Sequence, residues 1–364
     1  MKLIQINNYD ESIFSKIVDL KNKIHCDIKN SQLETVEELR KIFCNEWINS
    51  EYSWIFVIAE VENNFVGRVL LSWKKGETTG SIGFLEWDNN SLIIKSLLDK
   101  VEIIAKENGL NKIKGPIDIH FFIKYRWAVS SLDEPFYGEP VVPGYYISQI
   151  ESLGYKKIKT WHSYSANFKS VVESYQEKSI TGSEKIKTRR IRLTEWESEL
   201  KIFHTLLLKS YSSMSEFANM PYDVFYTLFK DLSYLIHPLY SFFVIYNNEE
   251  IGFHISIFDP QQILNDSKNK KINFFQKFSL LLKLRLNHKR LLCLYIGKSS
   301  TKDGKNIKGV QAMMGDRLKI LGRFIPPTES FFCYVSEDSP TRKVLDIKLF
   351  KEISRYHLWS KDLE

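Results

Sequence analysis

Long apolar runs are missing from this chain. No stretch of its 364 residues reaches about 18 uninterrupted apolar positions, which argues against a membrane-spanning helix. The opening MKLIQINNYDESIF also lacks the apolar core of a signal peptide. The expectation is a cytoplasmic protein with no transmembrane segment. Cysteine is scarce as well: Cys26, Cys44, Cys293 and Cys333 are far apart, with no CxxC and no histidine pair nearby. That pattern disfavours a zinc site or a disulfide framework and points to a reducing compartment and no metal. Cys293 and Cys333 sit in apolar runs, as small core residues do. No segment combines clustered basic residues with interleaved aromatics, so nucleic acid is not an expected partner.

What is present fits a globular protein. Apolar residues make up 43%, aromatics 14% and charged residues 26%. The length suffices for two domains with cores of their own. The net charge of +7 is compatible with an anionic ligand and says no more.

The order of elements repeats. Lys2 to Ile6 reads as a strand, and Ser12 to Ile24 and Thr35 to Trp47 as helices. Trp54 to Glu62, Val66 to Trp73 and Ser81 to Trp87 read as a meander, followed by a helix over Leu92 to Lys106 and a strand at Lys112 to Lys114. A loop-rich passage from Gly115 leads to a helix near Tyr145 to Leu153 and a strand near Lys156 to Ala166. From Ile186 a similar order begins again. The layout is mixed α/β, with domains over 1–168 and 185–364 and a polar linker over 169–184.

The chemistry concentrates in Arg290 to Leu318. Leu291 to Ile296 suits a buried strand, Ser299 to Lys308 is polar apart from Ile307, and Val310, Ala312, Met313, Met314 and Leu318 recur at helical spacing. Such a corner presents free N–H groups and a positive helix end to an anion, with Lys305 and Lys308 adding charge. Gly304 and Gly309 stand five apart as in a phosphate-binding P-loop. Val310-Gln311 then follows where that motif needs Lys and Ser/Thr, so an NTPase is not the reading.

The chain resembles the GNAT (N-acetyltransferase) superfamily, in particular its bacterial tandem-domain subgroup. Gly115-Pro116-Ile117-Asp118, Asp133-Glu134-Pro135, Pro143-Gly144-Tyr145-Tyr146 and Gly154-Tyr155 are similar to that subgroup's junction. GFHISIFD at Gly252 to Asp259, KGVQAMM at Lys308 to Met314 and EDSPTRKVL at Glu337 to Leu345 resemble its second half. The resemblance implies two tandem GNAT-like domains, each a mostly antiparallel mixed sheet flanked by helices. It also implies an acyltransferase that moves an acyl group from acetyl-CoA, or a longer acyl-CoA, to the amine of a small molecule. An acyl carrier protein is the alternative donor. Other readings are a GNAT-derived binding protein without turnover, and aminoacyl transfer from tRNA.

Laid onto this sequence, the pyrophosphate turn is Asn306-Ile307-Lys308-Gly309-Val310-Gln311, continuing to Ala312, and the strand beside the pantetheine arm is Leu294-Tyr295-Ile296. Asn306 and Gln311 depart from the family pattern. The first half has Trp87-Asp88-Asn89-Asn90 at the equivalent place and no glycine, so it is expected to be degenerate as a donor site. Candidate proton-transfer residues are Glu337 and Asp338 at a strand end, with His120 and Asp118 in the junction. Tyr145, Tyr146 and His254 are candidates for contacting the acceptor. The tyrosine that many members carry on the last helix has no counterpart before Tyr356. Phe274 to Arg290, apolar and laced with Lys and Arg, reads as a helix covering the second sheet. The other readings of that segment are contact with an acyl chain, an acidic carrier protein or an anionic membrane surface.

Overall fold

The computed structural model describes the whole chain except residues 30, 32, 177–184, 213, 215–216, 262–281, 283–288, 325, 340–341, 343–348 and 364. Half of the expected linker, most of the basic segment before Arg290 and nearly all of the expected last helix therefore lie outside the described residues. Two compact units are present, Met1–Trp161 together with Ser354–Glu364, and His162–Ile353.

In the first unit β1 (Lys2–Ile6), β2 (Tyr52–Val61), β3 (Asn64–Lys74) and β4 (Thr79–Trp87) pair antiparallel in that order. β5 (Lys112–Gly115) joins β4 in parallel, and β6 (Trp127–Ser130) lies further along the chain. Alternate residues of the central strands feed opposite cores. Val57, Ala59, Val69 and Leu71 pack under α4 (Ser91–Glu107), whose Ile94, Leu97, Leu98 and Val101 recur at helical spacing. Phe56, Ile58 and Leu70 pack under α1 (Glu11–Ile24) and α2 (Val36–Phe43). With both faces covered, these strands read as nearly continuous apolar runs. The helix expected over Thr35 to Trp47 is broken in two, because Asn45 accepts the Ile48 N–H and starts a short α3 (Glu46–Glu51).

The second unit holds β8 (Ile186–Arg190), β9 (Phe242–Tyr246), β10 (Glu249–Phe258) and β11 (Arg290–Lys298) in antiparallel succession. β12 (Glu329–Ser336) then pairs parallel to β11. β7 (Lys156–Asn167), which follows α5 (Tyr145–Ser152), crosses the unit boundary at Trp161/His162, and its second part lies beside β12. α6 (Phe168–Gln176) occupies the start of the expected linker. It packs on the same core as α9 (Val310–Gly322), through Phe168, Val310, Met314 and Leu318. On the other face α7 (Trp196–Tyr211) sets Phe203 against Phe253 of β10 and Phe225 of α8 (Tyr222–Phe229). The β2–β3 and β9–β10 hairpins turn through Glu62-Asn63 and Asn247-Asn248, all at positive φ, which suits the twist of a two-residue hairpin loop.

The division differs from 1–168 and 185–364. The last strand, β13 (Lys351–Asp362), sends Ser354 onward into the first unit, where Trp359 to Asp362 pair with Gly115 to Lys112. Strand pairing at this separation leaves no local mark, so the chain's end reads as part of the second half when it completes the first.

Candidate functional site

The opening in the second unit comes from strand geometry. β11 and β12 pair in parallel from Arg290↔Glu329 to Cys293↔Phe332, and no pairing between them continues beyond that point. Opposite the divergence the register of β10 with β11 shifts, from Ile255↔Tyr295 to Ser256↔Cys293, which leaves Leu294 as a bulged residue. Leu294, Tyr295 and Ile296 are half-buried; Tyr295 and Ile296 pair with β10 on one edge, and none of the three pairs with β12 on the other. The strand approaches its neighbour closely at Gly297. A Cβ there would meet the Phe253 ring at 2.4 Å, so glycine is required.

The loop after β11 is pinned by backbone bonds. The Ser299 N–H donates to Ile251 O (2.8 Å), the Lys302 N–H to Glu249 Oε1 (2.7 Å) and the Lys305 N–H to Thr301 Oγ1 (3.0 Å). Lys298 Nζ donates to Asn306 Oδ1 at 3.1 Å. The loop ends at Gly309, with φ +85° and ψ −5°, as the N-cap of α9, and no side chain caps this helix. The N–H groups of its first turn, Val310 to Ala312, have no helical acceptor and carry the positive end of the dipole. Lys305 and Lys308 are exposed beside them. A free strand edge leading to an uncapped, glycine-started helix fits a thioester arm followed by a pyrophosphate.

Beside this opening lies a histidine that the sequence reading passed over. His162 is buried on β7, with Nδ1 2.9 Å from Glu352 Oε2 and Nε2 3.2 Å from Glu337 Oε1. β7 is held to β12 by the Tyr334 N–H on Ser163 Oγ (3.1 Å), and just beyond their ends the Phe168 N–H donates to Thr328 O (3.3 Å). Glu337 follows the end of β12 and keeps 45% of its side chain exposed; Arg342 Nη1 stands 3.8 Å from it. Tyr164, stacked 5.9 Å from the His162 ring, packs with Cys293, Phe332, Val335 and Phe350, and Ile296 of the free strand edge leans on that cluster. His162 therefore shares a sheet face with the opening. Asp338 is exposed at the same strand end.

The remaining candidates lie elsewhere. His254, expected near the acceptor, is buried: Nδ1 is 2.9 Å from Tyr240 O, Nε2 is 3.5 Å from Cys293 Sγ, and the ring stacks on Phe242. Burial pulls the imidazole down to about 4 and pushes the Cys293 thiol up to about 12. The pair is thus neutral and structural, the opposite of a thiolate–imidazolium couple. Asp118 and His120 belong to the first unit. Asp118 accepts the Phe84 N–H at 2.6 Å, and burial raises its carboxyl. His120 Nδ1 accepts the Phe122 N–H, and its ring lies among Trp47, Tyr52 and Phe122.

Tyr145 and Tyr146 also belong to the first unit and serve its sheet. The Trp87 N–H donates to Tyr146 Oη (3.1 Å), Tyr145 Oη donates to Trp87 O (2.6 Å), and the Tyr146 ring stacks on Trp87 at 3.6 Å. β4 and β5 part after Ser81↔Lys114 much as β11 and β12 do. Here, however, Ile82 O takes the Ile117 N–H, Asp118 takes the Phe84 N–H and the two tyrosines take both backbone groups of Trp87. Asn90 caps α4 by accepting the Leu92 N–H. The first unit's own side chains fill the place that is open in the second.

Tyr146 Oη also donates to Glu86 Oε2 (2.8 Å), which faces His25 Nε2 at 2.8 Å. Burial acts to raise the Glu86 carboxyl, but the hydrogen bond and charge of His25, with Lys21 and Arg68, outweigh it and hold the group at about 2. A folded-state pKa below the unfolded 4.5 gives stability that is present above pH 4.5 and lost as pH falls towards 2. Glu86→Gln should therefore flatten the acid-unfolding curve in that window, by on the order of 3 kcal/mol in total. Urea titrations at stepped pH read this directly.

Among the described residues no group of three or more His, Cys, Asp or Glu could hold a metal ion, and no helix is long and apolar enough to cross a membrane. No family model matches the chain, and no protein of curated function matches it in sequence. Solved structures match in fold. A tandem GNAT protein from the clavulanic acid biosynthesis pathway, in a form without acetyl-CoA, aligns over 100% of this chain and 98% of its own, with TM-score 0.53 and 8% identity. A probable N-acyltransferase from Enterococcus faecalis V583 aligns over 100% of this chain and 73% of its own (TM-score 0.56, 8% identity). A GCN5-related N-acetyltransferase from Anabaena variabilis ATCC 29413 does so over 100% and 73% (TM-score 0.55, 8% identity). The chain has a mixed α/β fold of two tandem GNAT-like domains, each a mostly antiparallel sheet flanked by helices.

Proposed function

We propose that the second unit transfers an acyl group from acetyl-CoA, or a longer acyl-CoA, to the amine of a small molecule. The observation that carries this reading is the open edge of Leu294-Tyr295-Ile296 leading to the uncapped helix at Gly309, with His162 on the same sheet face. The free backbone of that edge holds the pantetheine amides as a further strand would. The Gly309 turn and the N–H groups of Val310, Gln311 and Ala312 hold the pyrophosphate, with Lys305 and Lys308 offsetting its charge. Glu352 orients the imidazole through Nδ1, and Nε2 receives the proton that the amine must lose before it attacks the thioester. Glu337, exposed and close to Nε2, steadies the incoming ammonium. In this reading the first unit, closed by its own side chains, supports and does not bind the donor. A binding protein without turnover is the rival reading. A panel of amines screened with acetyl-CoA, propionyl-CoA and a long-chain acyl-CoA separates the two. Amine-dependent release of free CoA thiol is expected, and its absence across the panel, with acyl-CoA nevertheless bound, leaves the rival standing.

A further inference from the structure

Acyl transfer also releases a thiolate, and a positioned acid that protonates it speeds the step. His162 is the base in the acyl-transfer reading, so another group must be that acid. The strand ladder shows where to look. The Ser299 N–H donates to Ile251 O, which makes Ile251 and Ser299 a hydrogen-bonded pair between β10 and β11. Bonded and non-bonded pairs alternate in an antiparallel ladder, and the register runs unbroken from Gly252↔Lys298 to Ile255↔Tyr295. Ile296, opposite His254, is therefore a non-bonded position. Its N–H and C=O point away from β10, towards the edge that β12 leaves unpaired. That outward carbonyl is already met by a phenol: Tyr211 Oη donates to Ile296 O at 3.4 Å.

Helical spacing puts the phenol there. Phe203, Leu207 and Tyr211 recur every fourth residue of α7; Phe203 packs on Phe253 and Tyr295, Leu207 is fully buried, and Tyr211 ends the stripe beside Phe253. At 3.4 Å its bond to Ile296 O is long for an O–H donor and easily exchanged. A pantetheine amide lying along the edge as a further strand needs that same carbonyl, and the donor's sulfur follows two methylenes beyond the arm's last amide nitrogen. The amide takes over Ile296 O and brings the sulfur to the displaced phenol. We propose that Tyr211 is the acid that protonates the departing sulfur, an assignment that rests on the acyl-transfer reading. The amine attacks the thioester carbon and gives its proton to His162. The C–S bond breaks with its electron pair on sulfur, and the Tyr211 O–H delivers a proton there. Phenolate and imidazolium then return to neutral, the first taking a proton from solvent and the second giving one up.

The test compares CoA with desulfo-CoA, which lacks only the sulfur, by isothermal titration on the full chain. The parent is expected to bind CoA about threefold or more tightly than desulfo-CoA, and Tyr211→Phe to lose most of that preference, because the contact removed is the one between phenol and sulfur. Tyr164→Phe should keep it, since that phenol hydrogen-bonds Arg342. With acetyl-CoA and the panel amine that releases CoA fastest, Tyr211→Phe should lower kcat roughly 10²-fold while KM for acetyl-CoA stays within about twofold. A phenol that only braces the strand would move KM and the melting temperature instead. Tyr211→Met serves if Tyr211→Phe fails to fold, and the preference of the parent is read without any variant. CoA bound no more tightly than desulfo-CoA by the parent, the parent's preference kept by the Tyr211 variants, or an unchanged kcat would each overturn the proposal. No binding of CoA by the parent would instead overturn the acyl-transfer reading itself, and the acid assignment with it.

Discussion

Replacing His162 by Asn should lower kcat for acyl transfer by roughly 10²–10⁴, the usual worth of a positioned general base, while the affinity for acetyl-CoA stays within about twofold. Asn keeps polarity and approximate size, so Glu337 and Glu352 retain a neighbour in place of the imidazole that now sits 3.2 and 2.9 Å from them. The donor's contacts are assigned to Leu294–Ile296 and the Gly309 turn, which the substitution does not touch. A merely structural His162 would lower the melting temperature and spoil donor binding together. A base leaves a different signature: the residual rate of His162→Asn climbs with pH up to the pKa of the amine itself, because the unprotonated acceptor must now come from solution. Glu352→Gln, which keeps the hydrogen bond to Nδ1 but removes its charge, should cost less, about tenfold. If kcat of His162→Asn matches the parent at neutral pH, the proton goes elsewhere.

The second large effect is expected at Gly309. Gly309→Glu should weaken acetyl-CoA by at least about 100-fold, close to 2.7 kcal/mol. Three effects add. Any side chain at φ +85° is strained by roughly 1–2 kcal/mol, the Cβ stands where backbone would approach the phosphate, and the carboxylate repels the dianionic pyrophosphate. Gly309→Asn separates these effects, since Asn tolerates the left-handed region and carries no charge; its loss should stay under about tenfold. Comparable losses for the two variants would assign the effect to strain and not to the anion.

Much of this site was legible because it is local. A strand, a polar turn and a helix in succession mark Leu294–Ile296 and Gly309 as candidates without knowledge of any partner strand, whereas the glycine's positive φ is visible only in the structure, since an N-cap is ordinarily extended. Glu337 stands out in the sequence as a candidate because it lies at a strand end. His162 does not, for its two carboxylates come from 175 and 190 residues away. The only trace was the alternation of TWHSYS, which sets His162 and Tyr164 on one face of a strand. Tyr145 and Tyr146 were misjudged for the same reason. The proline-rich turn before them suggested a cleft, while the group they hold, Trp87, lies 58 and 59 residues earlier. The last strand joins the first unit through a pairing that no local pattern announces. In the first half, the lack of glycine after Trp87 goes with a helix start capped by a side chain, Asn90. That Asp118 and two tyrosines would also fill the splayed strand depended on tertiary contacts alone.

Where the donor binds is measured most directly by the stoichiometry of acetyl-CoA on the full chain, by native mass spectrometry with isothermal titration as a check. One acetyl-CoA per chain is predicted for the parent, none for Gly309→Glu, and one for a Tyr145→Phe/Tyr146→Phe variant of the first unit. Two per chain in the parent, or one retained by a folded Gly309→Glu, would contradict a single donor site at the Gly309 turn.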